Sequence, residues 1–198
     1  MMRPRSFLPV ACLLAWLPPC TSALAADAAS GKELAEGCAG CHGSAGVSQT
    51  ALTPSLAGQP DYFTQWQLVF FRSGARKSEV MGPIAEALSN DDIRKLGAYY
   101  ASLRAPEVQA PLNHDELAQE GAKLAVDHRC RSCHGEDYAG SGPAARLAGQ
   151  REDVLLKALH DYKSGARVAP GVASMADVVY DLSDADMQAL AHYMATRP

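Results

Sequence analysis

The chain has 198 residues, of which 18 are basic and 22 are acidic, and this gives a formal charge of −4. The acidic balance argues against a nucleic-acid partner, because binding a phosphate backbone requires a basic surface. No apolar run is long enough to span a bilayer, so we expect no stable membrane anchor.

Residues 1–25 have the features of a secretory signal peptide. Arg3 and Arg5 precede an apolar run over residues 7–17, and Ala23-Leu24-Ala25 forms a small-x-small cleavage sequence. We therefore predict export to the periplasm. Two of the six cysteines lie in this segment, so four remain in the exported chain.

The remaining chain contains the same unit twice. Each copy has a Cys-x-x-Cys-His-Gly motif, then a Leu-Ala-Gly-Gln segment, and then a Ser-Gly-Ala-Arg segment. These segments occupy residues 38–43, 56–59 and 73–76 in the first copy and residues 130–135, 147–150 and 164–167 in the second. The separation between matching segments of the two copies changes by only one residue along the chain. This indicates a duplicated domain with small loop insertions.

The repeat sets the predicted domain boundaries. We predict a first domain over residues 26–104 and a second over residues 112–198. The linker over 105–111 contains Pro106 and Pro111, and proline restricts both itself and the residue before it, so we expect an extended segment there. The linker is short, so the two domains should be neighbours.

Each copy is predicted to be helical, and the fold class is all-α. A helix over residues 62–72 is followed by Gly74, and its partner over 153–163 is followed by Gly165, glycine being a common helix stop. The last helix of each copy begins with a capping pattern, Ser89 with Asp92 and Ser183 with Asp186. No stretch alternates like a strand for long.

The two Cys-x-x-Cys-His motifs are typical of covalent haem attachment. We predict that Cys38 and Cys41 bind one haem c and that Cys130 and Cys133 bind a second, with His42 and His134 as axial iron ligands. Three alternatives fit less well. A thioredoxin-like redox pair needs a preceding strand, a zinc site would need cysteines from both copies, and structural disulfides would not require the repeated histidine.

Methionine is the expected sixth ligand, because its soft thioether paired with histidine raises the reduction potential. Met81 and Met175 occupy matching places between the glycine-terminated helix and the capped helix, in a predicted loop. Met187 and Met194 fall within the last helix and are predicted to be packing residues. The remaining histidines have no counterpart in the first copy and are interpreted as surface or core residues: His114, His128, His160 and His192.

These motifs resemble class I cytochrome c domains, and their tandem arrangement resembles the diheme cytochrome c4 family over essentially the whole exported chain. The resemblance implies two domains related by pseudo-twofold symmetry, each wrapped around one covalent haem. It also implies a periplasmic carrier that takes electrons from a membrane quinol-oxidising complex and passes them to a terminal oxidase or reductase.

The resemblance also implies roles for residues outside the motifs. In such domains a proline carbonyl commonly accepts the hydrogen bond of the haem histidine, and Pro54 fits this role for His42. The second copy has Ala145 at the aligned position. Arg76 and Arg167 are expected either to meet haem propionates or to be solvated loop residues.

Electron transfer is the function that this ligand set favours, because an iron with two protein ligands has no open position for a substrate. The alternatives are a two-haem enzyme, either a peroxidase or a thiosulfate-oxidising cytochrome, and the cytochrome subunit of a flavoprotein sulfide dehydrogenase. The copies also differ in charge. Residues 27–104 carry 7 basic and 8 acidic side chains, against 9 and 14 in residues 105–198. Because the second copy is the more acidic and has no proline matching Pro54, we expect two distinct reduction potentials.

Overall fold

The computed structural model describes residues 21–108, 116–167 and 173–198. The regular elements within these ranges are helices, and the only β-type pairing there is an isolated bridge between Ser141 and Ala144. The prediction of an all-α fold is confirmed.

The first copy folds into five α-helices and one 3-10 turn. In chain order these are α1 (Thr21–Ala35), the 3-10 turn (Glu36–Cys38), α2 (Ala39–His42), α3 (Asp61–Arg72), α4 (Met81–Glu86) and α5 (Asn90–Ser102). Helix α1 packs on α5, and α3 packs on both α4 and α5.

The second copy repeats this order within its described residues. Its helices are α6 (Glu116–Asp127), α7 (Arg131–His134), α8 (Glu152–Lys163), α9 (Ala173–Val179) and α10 (Asp184–Ala195). Helix α10 packs on α6 and α8, and α9 packs on α8, as their counterparts do in the first copy.

Two of the predicted segments fall partly outside the described ranges. Residues 1–20 of the predicted signal peptide lie outside them, and residues 21–25 form the start of α1. In the linker, residues 105–108 have no regular structure and residues 109–111 lie outside the described residues. No helix in the described part of the chain is long and apolar enough to cross a bilayer.

A glycine lies at the crossing of the first and last helices of each copy. A Cβ atom on Gly31 would lie 2.1 Å from the carbonyl oxygen of Lys95, and one on Gly121 would lie 2.2 Å from that of Ala189. The neighbouring side chains are Tyr99 and Tyr193, the two aromatic residues at matching repeat positions. Only glycine therefore allows the helices to approach this closely.

Both predicted capping boxes are present. Ser89 caps α5 and Ser183 caps α10, and each pairs reciprocally with the aspartate three residues later. The helices α3 and α8 end before Gly74 and Gly165, both with a φ of 73°, the left-handed conformation that glycine adopts without strain.

The repeated Leu-Ala-Gly-Gln segments meet where the two copies contact each other. Gln59 donates to the carbonyl oxygen of Arg146 at 3.0 Å and accepts from the Arg146 amide at 3.0 Å. Gln150 makes the same pair of bonds with Ser55, both at 2.8 Å. These four bonds form a reciprocal contact, because residues 55 and 59 are the repeat counterparts of residues 146 and 150.

Candidate functional site

The first Cys-x-x-Cys-His motif lies on one short helical segment. Cys38 ends the 3-10 turn, and Cys41 and His42 follow in α2. Residues three and four positions apart on a helix are neighbours on its surface, so Cys38 lies beside both Cys41 and His42. Both cysteines are free thiols, Cys38 half-buried and Cys41 exposed.

The second motif has the same arrangement. Cys130 directly precedes α7, which contains Cys133 and His134, and both thiols are again free. Burial raises the pKa of Cys130 above its usual value. In each copy the glycine after the histidine ends the helix with a positive φ, 83° at Gly43 and 84° at Gly135. This conformation explains why the repeated motif extends to the glycine.

Each motif histidine is buried and hydrogen-bonded to a backbone carbonyl. His42 is 7% exposed and its Nδ1 lies 2.8 Å from the Pro54 oxygen, while His134 is 9% exposed and its Nδ1 lies 2.8 Å from the Ala145 oxygen. Since a carbonyl oxygen can only accept, Nδ1 carries the hydrogen in both rings. This leaves Nε2 with its lone pair available for a metal.

Burial also sets the charge state of these two rings. It lowers the pKa of His42 and His134, although the hydrogen bonds to the carbonyls of Pro54 and Ala145 partly oppose the shift. Both histidines are therefore neutral at pH 7, the form in which imidazole binds a metal.

The methionines predicted as axial ligands lie in short helices rather than in loops. Met81 is the first residue of α4, and its amide donates to Ser78 Oγ at 3.0 Å. Met175 lies in α9 and packs against the core of the second copy. Both side chains are half-buried. Their coordination of iron stays a prediction.

The other candidate ligands have different surroundings. Met187 and Met194 are 0% and 4% exposed, in the core position predicted for them. His160 is exposed beside Asp184, the Nδ1 of His192 lies 2.8 Å from a carboxylate oxygen of Glu152, and His128 is half-buried. His114 lies outside the described residues.

The donor set of each copy fits a covalently bound haem. Two free thiols can form thioether bonds, and a neutral buried imidazole on the same segment can bind the iron. In residues 28–108, 116–167 and 174–198 there is no group of three or more His, Cys, Asp or Glu side chains arranged to hold a metal ion. The four cysteines therefore do not assemble into one zinc site.

The two repeated arginines are not solvated loop residues. Arg167 is 9% exposed and its guanidinium lies over the Tyr162 ring at 4.6 Å, while Arg76 is half-buried over Phe71 at 4.5 Å. Both donate to Gln67 Oε1, at 2.7 Å from Arg76 and 2.8 Å from Arg167. Gln67 could not be identified from the repeat, because the matching position in the second copy is Ala158.

Comparison with known families identifies both copies separately. The sequence profile of the family described as "Cytochrome c" matches residues 118–198. The profile described as "Cytochrome C oxidase, cbb3-type, subunit III" matches residues 26–99. Each profile therefore covers one of the two copies.

Several relatives match the chain across both copies. A protein of Thiomonas intermedia (strain K12) named "Thiosulfate dehydrogenase electron acceptor" is 31% identical and covers 98% of this chain and 94% of its own length. The cytochrome c4 of Azotobacter vinelandii is 32% identical and covers 86% of this chain and 89% of its own length. The crystal structure of reduced recombinant cytochrome c4 from Pseudomonas stutzeri has a TM-score of 0.79 at 28% identity, over 86% of this chain and 98% of that one.

Proposed function

Since the chain belongs to the diheme cytochrome c4 family, we propose that it carries electrons in the periplasm from a quinol-oxidising membrane complex to a terminal oxidase or reductase. The chain holds two covalently bound haem c groups and is an electron carrier rather than an enzyme. Its partners are redox proteins. The signal-peptide features of residues 1–25 support the periplasmic location, which N-terminal sequencing of the exported protein would test.

In the proposed sites, Cys38 and Cys41 attach the first haem, whose iron takes His42 and Met81 as axial ligands. In the second site, Cys130 and Cys133 attach the haem, and His134 and Met175 are its axial ligands. The haem supplies a one-electron change between ferrous and ferric iron. With both axial positions occupied by the protein, the chain leaves no open position for a substrate.

The observation that carries this proposal is the matched environment of the two histidines. Both rings are buried and neutral, and both donate from Nδ1 to a backbone carbonyl at 2.8 Å. Such a contact fixes the ring so that Nε2 points in one direction, and it makes the imidazole a stronger donor to iron. Two sites built alike are expected to bind their irons alike.

Absorption spectroscopy of the ferric holoprotein tests the axial assignment. We expect a methionine–iron band from both haems and no rapid binding of cyanide. A high-spin signal from either haem, or fast cyanide binding, would contradict the carrier assignment and favour an open iron site. Purification from native membranes and periplasm tests whether the chain is instead the cytochrome subunit of a flavoprotein sulfide dehydrogenase. A stable complex with a flavoprotein would contradict a free carrier.

A thiosulfate-oxidising enzyme is a second candidate donor. It is supported by the name of the Thiomonas intermedia relative, which describes that protein as the electron acceptor of thiosulfate dehydrogenase. Stopped-flow mixing of the oxidised holoprotein with such an enzyme and thiosulfate should reduce both haems within the enzyme's turnover time. Thiosulfate without the enzyme is the control, and equal reduction there would contradict the role of a separate donor.

A further inference from the structure

One peptide group joins the histidine of the first site to the second domain. The carbonyl oxygen of Pro54 accepts the hydrogen bond from His42 Nδ1 at 2.8 Å. The N–H of the same peptide group belongs to Ser55, and it donates to Oε1 of Gln150 at 2.8 Å. A continuous hydrogen-bonded chain therefore runs from the His42 ring to a glutamine of the other domain.

The second site has the reciprocal connection. The carbonyl oxygen of Ala145 accepts from His134 Nδ1 at 2.8 Å, and the N–H of that peptide group, on Arg146, donates to Oε1 of Gln59 at 3.0 Å. Gln59 and Gln150 are 4% and 7% exposed. Water therefore competes little for these bonds, and their electrostatic effect is larger than it would be at the surface.

We propose that Gln150 is a positioning residue for His42 and that Gln59 is one for His134, so that each glutamine tunes the haem of the opposite domain. The proposal rests on the axial ligands assigned under the proposed function. A peptide N–H that donates to a glutamine oxygen polarises its own carbonyl and makes the carbonyl oxygen a stronger acceptor. The histidine ring then gains anionic character and becomes a stronger iron ligand.

The sign of the effect follows from the charge on the iron. A more electron-rich histidine stabilises the ferric state more than the ferrous state and so lowers the reduction potential. Removal of the glutamine oxygen weakens the carbonyl acceptor and should raise the potential. Because each glutamine is connected to the histidine of the opposite domain, its substitution should change the reduction potential of the haem in that opposite domain.

The glutamines are also held in place by their second hydrogen bond. Gln150 Nε2 donates to the Ser55 carbonyl at 2.8 Å, and Gln59 Nε2 donates to the Arg146 carbonyl at 3.0 Å. Both ends of each amide are therefore bonded to the opposite domain, and Oε1 of Gln150 also accepts from the Arg151 N–H at 3.0 Å. This geometry lets the side chain act on the peptide group rather than merely fill the junction.

The test uses two holoprotein variants, Gln150→Leu and Gln59→Leu, in redox titrations. The two haems are distinguished by the NMR signals of the methyl groups of their axial methionines. We expect Gln150→Leu to raise the potential of the first haem and leave the second unchanged, and Gln59→Leu to do the reverse. Each variant loses two interdomain bonds, so each is the control for general loosening of the junction. Gln150→Leu also loses the bond from the Arg151 N–H, which lies within its own domain. Equal shifts of both haems, a shift of the haem in the substituted domain alone, or no shift would overturn the proposal.

Two further measurements keep this result separate from the axial assignment. The methionine–iron band of the unsubstituted protein tests the axial ligands directly. If this band is present but neither variant shifts the potential of the haem in the opposite domain, the tuning proposal is overturned and the axial assignment stands. Amide exchange in the unsubstituted holoprotein tests the connection even if a variant fails to fold. We expect slow exchange of the Ser55 and Arg146 amides, and free exchange of either would contradict the connection.

Discussion

Arg76 and Arg167, which occupy the same repeat position in different domains, donate to one shared atom, Oε1 of Gln67. Burial lowers the pKa of both guanidinium groups, and the charge of Arg167 lowers that of Arg76 further. Two cations that converge on a neutral oxygen favour an anion beside them. This arrangement agrees with the expectation that these arginines meet haem propionates, which stays a prediction.

Loss of the shared acceptor should destabilise the domain junction. We expect Gln67→Leu to lower the free energy of unfolding by about 3 kcal/mol, because two hydrogen bonds to charged groups are lost in a buried site. Denaturant titration of the holoprotein would measure this. Gln65→Leu removes one hydrogen bond within α3, to Asp61, and is the control. Equal stability of the two variants would contradict a structural role for the shared oxygen.

The helix crossings give a prediction for the two glycines. Gly31→Ala should destabilise the first domain and Gly121→Ala the second, by about 2 kcal/mol, since a new Cβ atom would meet a backbone carbonyl and force the helices apart. Gly37→Ala is the control, because a Cβ atom there has no protein atom within 4 Å. Unfolding transitions that are unchanged for Gly31→Ala and Gly121→Ala would show that the helices can shift freely.

Replacement of a proposed iron ligand should affect one haem only. We expect Met81→Ala to remove the methionine–iron band of the first haem and lower its potential, and Met175→Ala to do so for the second. Absorption spectra and redox titration would measure both effects. Met187→Leu, at a buried core position, is the control that should leave both spectra intact. Loss of methionine ligation in both haems after Met81→Ala would contradict independent sites.

The capping boxes predict how stability changes in acid. Hydrogen bonds from Ser183 lower the pKa of Asp186 below its usual value of 3.8, and those from Ser89 do the same for Asp92. A carboxyl whose pKa is lower in the folded state stabilises the fold above its unfolded pKa, and this contribution is lost as the pH falls through the folded pKa.

Substitution of the capping serine tests this pH dependence. Ser183→Ala should cost about 1 kcal/mol at neutral pH, and its unfolding free energy should vary less with pH in the acid range than that of the unsubstituted protein. Thermal or denaturant unfolding between neutral and acid pH would measure both. An acid slope identical to that of the unsubstituted protein would show that the Ser183–Asp186 pair does not determine it.

Local patterns predicted helices α3 and α8, the starts of α5 and α10, and the haem motifs. The caps at Ser89 and Ser183 and the stops at Gly74 and Gly165 depend on residues within one turn, so the sequence alone identifies them. The core positions of Met187 and Met194 follow from their place on the last helix. The loop predicted around Met81 and Met175 was wrong in detail, because α4 and α9 are too short for helical periodicity to reveal.

Contacts between distant segments could not be predicted in the same way. The Leu-Ala-Gly-Gln repeat was visible, but the bonds of Gln59 and Gln150 join residues 87 and 95 positions apart. Gln67 has no glutamine counterpart in the second copy, so nothing in the sequence pattern indicated its contact with the two arginines. The absence of a proline at position 145 does not change the histidine contact, since the Ala145 carbonyl accepts at the same 2.8 Å as that of Pro54.

The reciprocal glutamine bonds have the form of an isologous dimer interface, in which the same patch of each subunit serves both sides. Two separate copies of such a domain would associate only at sufficient concentration. Joined in one chain, the two patches meet at an effective concentration set by the length of the connection. The pair of haem domains therefore stays assembled upon dilution, and dilution of the protein should leave the interdomain contact intact.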